Sequence, residues 1–382
     1  MQRFLTVLLT LALVVGVGYG LYRSVGGALK ARQTVAVKGV IGSEKEDFFK
    51  APEVVKALRD KGFIVGVEKA GSRQIATLDL KGYDFAFPAG VPAAEKIRRE
   101  KGGKAAINVF YSPMAIATWD PIAKILQANG VSGDRGAYDV LNLERMITLM
   151  GTGKRWSELR NNEAYPVGRS VLINSTDIRR SNSAAMYLSL LSYVLNNNNV
   201  VQSSEEAAAV LPKISPLFLK QGYQEASSAG PFEDYLLLGM GKAPLVMIYE
   251  QQFIEKAVQK QLRAGMRLMY PKPTLFTKHV LVPLSDSGRR LGELLANDPE
   301  MQALATKFGF RTSSPKAFSD FIAGQGLKLP TDIVDVIDPP SYEVLENMIK
   351  AIETEYTSRG APPPRHDGGK APVQSNLGPS KP

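Results

Sequence analysis

The chain has no cysteine and only two histidines, His279 and His366, among its 382 residues. Without a thiol there is no disulfide framework, no thiolate nucleophile and no Cys-type zinc site. A histidine metal site or a Ser-His-Asp triad would rest on His279 alone, because His366 lies in a Pro/Gly tail. No nucleophile–base pair stands out, so the expectation is a protein that is not an enzyme, with no metal and no cofactor. Also missing is any basic run interleaved with aromatics. The net charge of +10 comes from 47 Lys and Arg dispersed among 37 Asp and Glu. That pattern predicts a solvated basic surface rather than a nucleic-acid partner. Gly151-Thr152-Gly153-Lys154 and Gly239-Met240-Gly241-Lys242 lack the upstream glycine and the following hydroxyl of a phosphate loop, so neither predicts a nucleotide site.

Charge is absent altogether from Phe4 to Tyr22, a run of 19 residues. At ~1.5 Å per residue such a run spans a ~30 Å hydrocarbon core. It is longer than the ~7–15 apolar residues usual in a cleaved signal peptide, and Gly26-Gly27-Ala28 is a poor cleavage site. An uncleaved signal anchor is therefore expected over residues 1–32, with the main domain outside the cytoplasm. The flanking charges, Arg3 before the run and Arg23, Lys30 and Arg32 after it, oppose one another in setting its orientation. At the other end, residues 359–382 hold six prolines and four glycines with almost no large apolar side chain. That tail cannot bury enough surface to offset its ordering entropy and is expected to be disordered.

Between these ends, strand-like and helix-like segments alternate. "TVAVKGVIGS", "FIVGVEKAGS" and "YDFAFP" read as strands, each followed by a helical pattern, and "KAAINVFYSPMAIATW" is a long apolar strand run. "RSVLINS", "APLVMIYE" and "KHVLVPLS" read as later strands. Such alternation predicts an α/β class with a parallel sheet. In "NSAAMYLSLLSYV" the residues Ala184, Tyr187, Leu188, Leu191 and Val194 form an apolar helical stripe.

Three strand-to-helix turns carry small hydroxyl residues: Gly42-Ser43, Gly71-Ser72-Arg73, and Ser181-Asn182-Ser183 after Asp177. In an open parallel sheet such turns lie at the carboxyl ends of the strands, where ligands bind. Free amides at a helix start favour an anion or a carbonyl oxygen, and Arg73, Arg179 or Arg180 could add charge-assisted bonds. The simpler reading of each serine is a helix N-cap, for which serine is preferred. Six polar residues before Ala184 exceed what one cap needs. Tyr249-Glu250 ends another strand, where a core tyrosine and a ligand contact are equally reasonable.

The order of these elements resembles the type II solute-binding proteins, the extracytoplasmic receptors of ABC importers, which include molybdate, sulfate and phosphate binders. A strand with Gly-Ser, a second with "GSRQIA", then "YDFAFP" carry the first part of the likeness. "INSTDIRRSNSAAMYLSLLSY", "GKAPLVMIYEQQFI" and "LATKFGFR" carry the rest, over residues 33–325. The resemblance implies an α/β two-lobed periplasmic-binding-protein-like fold with hinge crossings, preceded by one N-terminal transmembrane helix. Lobe 1 would be residues 33–113 plus 278–325, and lobe 2 would be 114–277. A helical extension, 326–358, and the tail would follow. By position, the ligand contacts would be Ser43, Ser72, Arg73 and Ser112, then Thr176, Asp177, Arg180, Ser181, Asn182 and Ser183, with Tyr249 and Glu250 near the return crossing. A small polar or anionic ligand is implied, with an ABC permease or a sensor as partner. Two departures from the family bear on this. Asp177, Glu250 and Glu44 suit a zwitterion, a cationic group or a polyol better than a simple oxyanion. The lipidated cysteine is missing, so tethering to the membrane falls to the N-terminal run.

Overall fold

The computed structural model describes residues 34–358, apart from 103, 104, 135–137, 223, 225–227, 331, 332 and 334. The expected anchor and the expected disordered tail lie outside the described residues. Among those described, no helix is long and apolar enough to cross a membrane.

Among the described residues ten strands occur in chain order: β1 Val35–Ile41, β2 Phe63–Lys69, β3 Phe85–Phe87, β4 Ile107–Trp119, β5 Ser132–Asp134, β6 Asp139–Asn142, β7 Val246–Tyr249, β8 Met266–Lys272, β9 Thr274–Pro283 and β10 Val336–Ile337. β1 runs parallel to both β2 and β3, as strand–helix–strand crossovers require. β9 then lies antiparallel between β3 and the first half of β4. This gives one sheet in the order β2-β1-β3-β9-β4.

β4 is the element that joins the two halves. Its residues up to Pro113 pair with β9, while Met114–Ala117 pair with β7 and Ile116–Trp119 with β8. Pro113 has no N–H to give to a ladder, and it occupies the last position opposite β9. A second sheet, β7-β4-β8-β6-β5, forms from there. The chain returns along β8 and β9, which meet at Lys272 and the cis-linked Pro273. Two lobes are thus joined by these two crossing strands and, a third time, by the chain leading into the C-terminal helix, which packs in the core of the second lobe.

Each sheet carries its own core. Both faces of the first sheet are covered. One carries an aromatic cluster in which Phe48 lies edge-on to Phe49 and Phe110, ring centroids 5.2 Å apart in each pair. The other carries smaller residues around Val40, Ile75, Ala94 and Val282. The second lobe has one larger core, into which the helix Asn182–Leu195 sinks on every side. All of its residues from Asn182 to Ser192 are buried, so the stripe expected from sequence is only part of its apolar contact. The helix lies between Ser204–Leu219, β7 and a C-terminal helix, Tyr342–Ser358, which leaves no face to solvent.

"RSVLINS" differs from expectation too. It forms isolated bridges, Arg155 with Ser170 and Asn174 with Val246, and no ladder. Asn174 exchanges two bonds with Leu245 and Met247, whereas Val171 and Arg169 turn to Lys154 and Trp156. The segment is divided between two neighbours.

Candidate functional site

Two of the three turns singled out in the sequence converge on the seam between the lobes. From lobe 1 come the Gly71-Ser72-Arg73 turn and the loop at Gly90. From lobe 2 comes the stretch 176–183. Two glycines permit the approach. A Cβ on Gly71 would lie 3.2 Å from the Arg180 carbonyl oxygen. One on Gly90, whose φ of +93° already favours glycine, would lie 3.1 Å from Asn182 Oδ1.

None of the three serines at these turns caps its helix. Glycines 42 and 71 hold the N-cap positions of the first two turns, without side-chain bonds. Ser72 Oγ instead accepts from the Ala89 amide at 2.8 Å, fixing the neighbouring loop. Ser181 is the N-cap of Asn182–Leu195 but makes no capping bond. Its hydroxyl meets Ser183 Oγ at 3.0 Å, and Ser183 meets Thr176 Oγ1 at 2.7 Å. These three hydroxyls are buried and form a continuous polar row below the seam. Beside them, Asn182 Nδ2 donates to the Tyr249 hydroxyl at 3.1 Å. Burial, aided by the Glu44 carboxylate, pushes the Tyr249 phenol far up, so it stays neutral.

The charged residues expected at the site are engaged with the protein itself. Asp177 takes Arg179 Nε at 2.9 Å and Nη2 at 2.7 Å, besides the Arg179 amide at 2.9 Å. Arg180 is half-buried, with its amide 3.1 Å from the Asp177 carbonyl. Arg73 donates Nε and Nη2 to the two carboxylate oxygens of Glu346, at 2.7 and 2.6 Å. Its Nη1 reaches across to the Ile178 carbonyl at 2.8 Å. Glu250, wholly buried, accepts a fork from Arg311 at 2.7 and 2.8 Å and the Tyr270 hydroxyl at 2.5 Å. Ser112, on the crossing strand, accepts from the Gln251 amide at 3.1 Å. The structure thus brings Ser72, Arg73, Thr176, Asp177, Arg180, Ser181, Asn182 and Ser183 to the seam. Ser112 and Glu250 sit deeper, beside the crossings, and Ser43 is half-buried at the start of its turn.

That turn, Ser43–Lys45, contributes two residues that sequence reading passed over or left in the margin. Lys45 is completely buried and Glu44 nearly so. The ammonium contacts the Glu44 carboxylate, lies 4.7 Å above the Phe87 ring and 3.2 Å from His279 Nδ1. His279 Nδ1 is in turn 3.4 Å from Glu44. Burial alone would raise the Glu44 carboxyl; Lys45 and His279 outweigh it and hold it well below the usual carboxylate range. Burial drives the Lys45 ammonium down, with Glu44 opposing. Burial and the Lys45 charge lower His279 to about 4, so it is neutral at pH 7. Its Nε2 is buried with no hydrogen-bond partner. In sequence, "GSEKEDFF" reads as a solvated helix start, and nothing in the local pattern marks Lys45 as internal. The one available signal was composition: His279, a lone histidine inside an apolar strand, calls for a partner.

Against the known structures, three two-lobed binding proteins illustrate the likeness. The solute-binding protein of an ABC transporter from Thermotoga lettingae TMO, bound with alpha-D-tagatose, superposes with a TM-score of 0.54 at 11% identity, over 86% of this chain and 95% of that one. The sulfate-binding protein SubI from Mycobacterium tuberculosis H37Rv gives 0.51 at 13% identity, over 82% and 96%. A periplasmic thiamin binding protein gives 0.51 at 11%, over 86% and 97%. The chain has the fold of the type II periplasmic solute-binding proteins. At these identities the likeness is one of fold. No protein-family model matches the sequence, and no curated protein is significantly similar to it.

Proposed function

We propose that the chain is an extracytoplasmic solute-binding protein, tethered by its N-terminal apolar run, that captures a small polar ligand between its lobes. The ABC-type permease or sensor expected as its partner would read the closed form. The observation that carries this reading is the convergence of Ser72–Arg73 from one lobe and the Thr176–Ser183–Ser181 hydroxyl row from the other on a single seam. Such a seam offers directional neutral bonds and one guanidinium, and it can desolvate a ligand when it shuts.

Thermal unfolding with a panel of sulfate, molybdate, phosphate, thiamine and sugars tests the proposal. A ligand at a hundred times its dissociation constant adds about 2.7 kcal/mol of stability. The expected result is a rise with one ligand class that Ser183→Ala removes. A panel without any rise beyond salt-matched controls overturns the receptor reading.

A second reading has its own support. The helix Tyr342–Ser358 ties both lobes together, which suits an envelope scaffold that keeps the bilobal fold and recognises a protein partner.

A further inference from the structure

The C-terminal helix is divided between the two lobes. Leu345, Met348, Ile349 and Ile352 follow the spacing i, i+3, i+4, i+7 and join the core of lobe 2. Further along, the Tyr356 hydroxyl donates to the Phe218 carbonyl at 2.9 Å, and Arg179 stacks on its ring at 5.0 Å. Another face of the helix's first two turns, carrying Tyr342, Glu343 and Glu346, meets lobe 1. Lys96 lies 5.0 Å above the Tyr342 ring, Arg99 meets Glu343 at 2.6 Å, and Arg73 is clasped by Glu346. The hold on lobe 2 is thus largely apolar, whereas the hold on lobe 1 consists of one ring and two ion pairs. Arg73 also bonds the Ile178 carbonyl of lobe 2, so Glu346 fixes a guanidinium that already crosses the seam.

We propose that this helix is an intramolecular latch: Glu346 occupies the anion position at Arg73, and the lobes part only when the helix lets go of lobe 1. The two grips differ in kind, and that decides where it releases. An apolar stripe buried in a core stays put when salt or an anion is added, whereas partly exposed ion pairs weaken. A carboxylate or phosphate on an incoming ligand would have to displace Glu346 to reach the same fork. The latch itself does not depend on the receptor reading, since a scaffold would be held shut in the same way.

The absence of cysteine makes the test clean. Spin labels on Lys56→Cys in lobe 1 and Lys124→Cys in lobe 2, both exposed, report the interlobe distance by pulsed electron resonance in the full chain. The parent should give one narrow distance at low salt. Glu346→Gln combined with Glu343→Gln should add a longer population, at least several-fold above that of the parent, while hydrogen exchange over 348–356 stays slow. An unchanged distance distribution in that variant overturns the latch. So does fast exchange along the whole helix, which would mean that the helix had left both lobes. If the variant does not fold, the labelled parent is taken from 50 mM to 1 M NaCl. Widening then supports the latch, and an unchanged distance overturns it.

Discussion

Two buried charge networks stand near the crossings, and they are built differently. Glu250, Arg311 and Tyr270 form a closed set: the carboxylate takes a bidentate fork and a phenol, and Arg311 also reaches the Pro330 carbonyl at 2.6 Å. Arg311 is anchored to β4 as well, by paired backbone bonds with Tyr111. Glu44, Lys45 and His279 form an open set: the ion pair is intact, but the histidine is held neutral and one ring nitrogen goes unanswered. The first network ties the start of a lobe 2 helix to the crossing strand. The second balances three titratable groups in a space with no water access. A complete network resists change, whereas an incomplete one responds to it.

Breaking the closed network should have the largest effect. Arg311→Met leaves Glu250 as an uncompensated buried charge beside Tyr270, and breaking such a pair costs about 3–5 kcal/mol. Urea unfolding of the variant measures it. A loss under ~1 kcal/mol would show that Glu250 finds another partner and that the network is not the tie it looks like.

The open network should be felt through pH. His279 sits at about 4 in the folded chain against an ordinary 6.5. A group with a depressed folded value contributes stability that is complete above 6.5 and is lost as pH falls from there toward 4. The gap corresponds to about 3 kcal/mol. Removing the ammonium with Lys45→Met should raise His279 part of the way toward 6.5, because burial alone then opposes the Glu44 carboxylate. NMR titration of the ring checks this directly, with only two histidines to assign. A His279 value that stays near 4 would leave burial as its sole cause.

The contrast also shows what a sequence discloses. The alternation of strands and helices and the Gly-Ser turns made the α/β class legible, because periodicity and turn chemistry are local properties; the two lobes were implied by the resemblance in the order of elements. The seam was legible in part: Ser72 and Arg73 follow the end of β2, whereas 176–183 follow only an isolated bridge from Asn174 to Val246. Who holds whom was not. Arg73 meets Glu346 across 273 residues, and Glu250 meets Arg311 across 61. Such pairings are decided by tertiary geometry that no local spacing encodes. Lys45 was hidden because one lysine among acidic neighbours looks like any solvated helix start. The capping reading failed for a related reason, since Ser72 bonds the Ala89 amide and Ser181 and Ser183 bond other hydroxyls.

Glu255 gives a smaller pH effect of opposite sign. Burial, opposed by Lys256 and helped by Asp47, pushes its carboxyl up to about 7, while Gln251 and Gln259 donate to it at 3.0 and 3.1 Å. A raised folded value means stability is full below 4.5 and falls as pH rises toward 7. Glu255→Gln should therefore stabilise the chain at pH 8 by about 1–2 kcal/mol and change little at pH 4. Equal melting shifts at both pH values would remove the carboxyl from the account.

The smallest effect expected is at the hydroxyl row, where no charge is involved. Ser183→Ala removes the shared partner of Thr176 and Ser181. Each lost neutral bond is worth about 0.5–1.5 kcal/mol, and more if a buried hydroxyl is left unpaired. The net loss should be about 1 kcal/mol and independent of pH. That independence is the diagnostic feature: it separates the row from both charge networks, whose substitutions change the shape of the pH profile. A Ser183→Ala loss that grows as pH falls would mean the row is coupled to Glu44, Lys45 and His279, and the seam would then be one electrostatic unit rather than two.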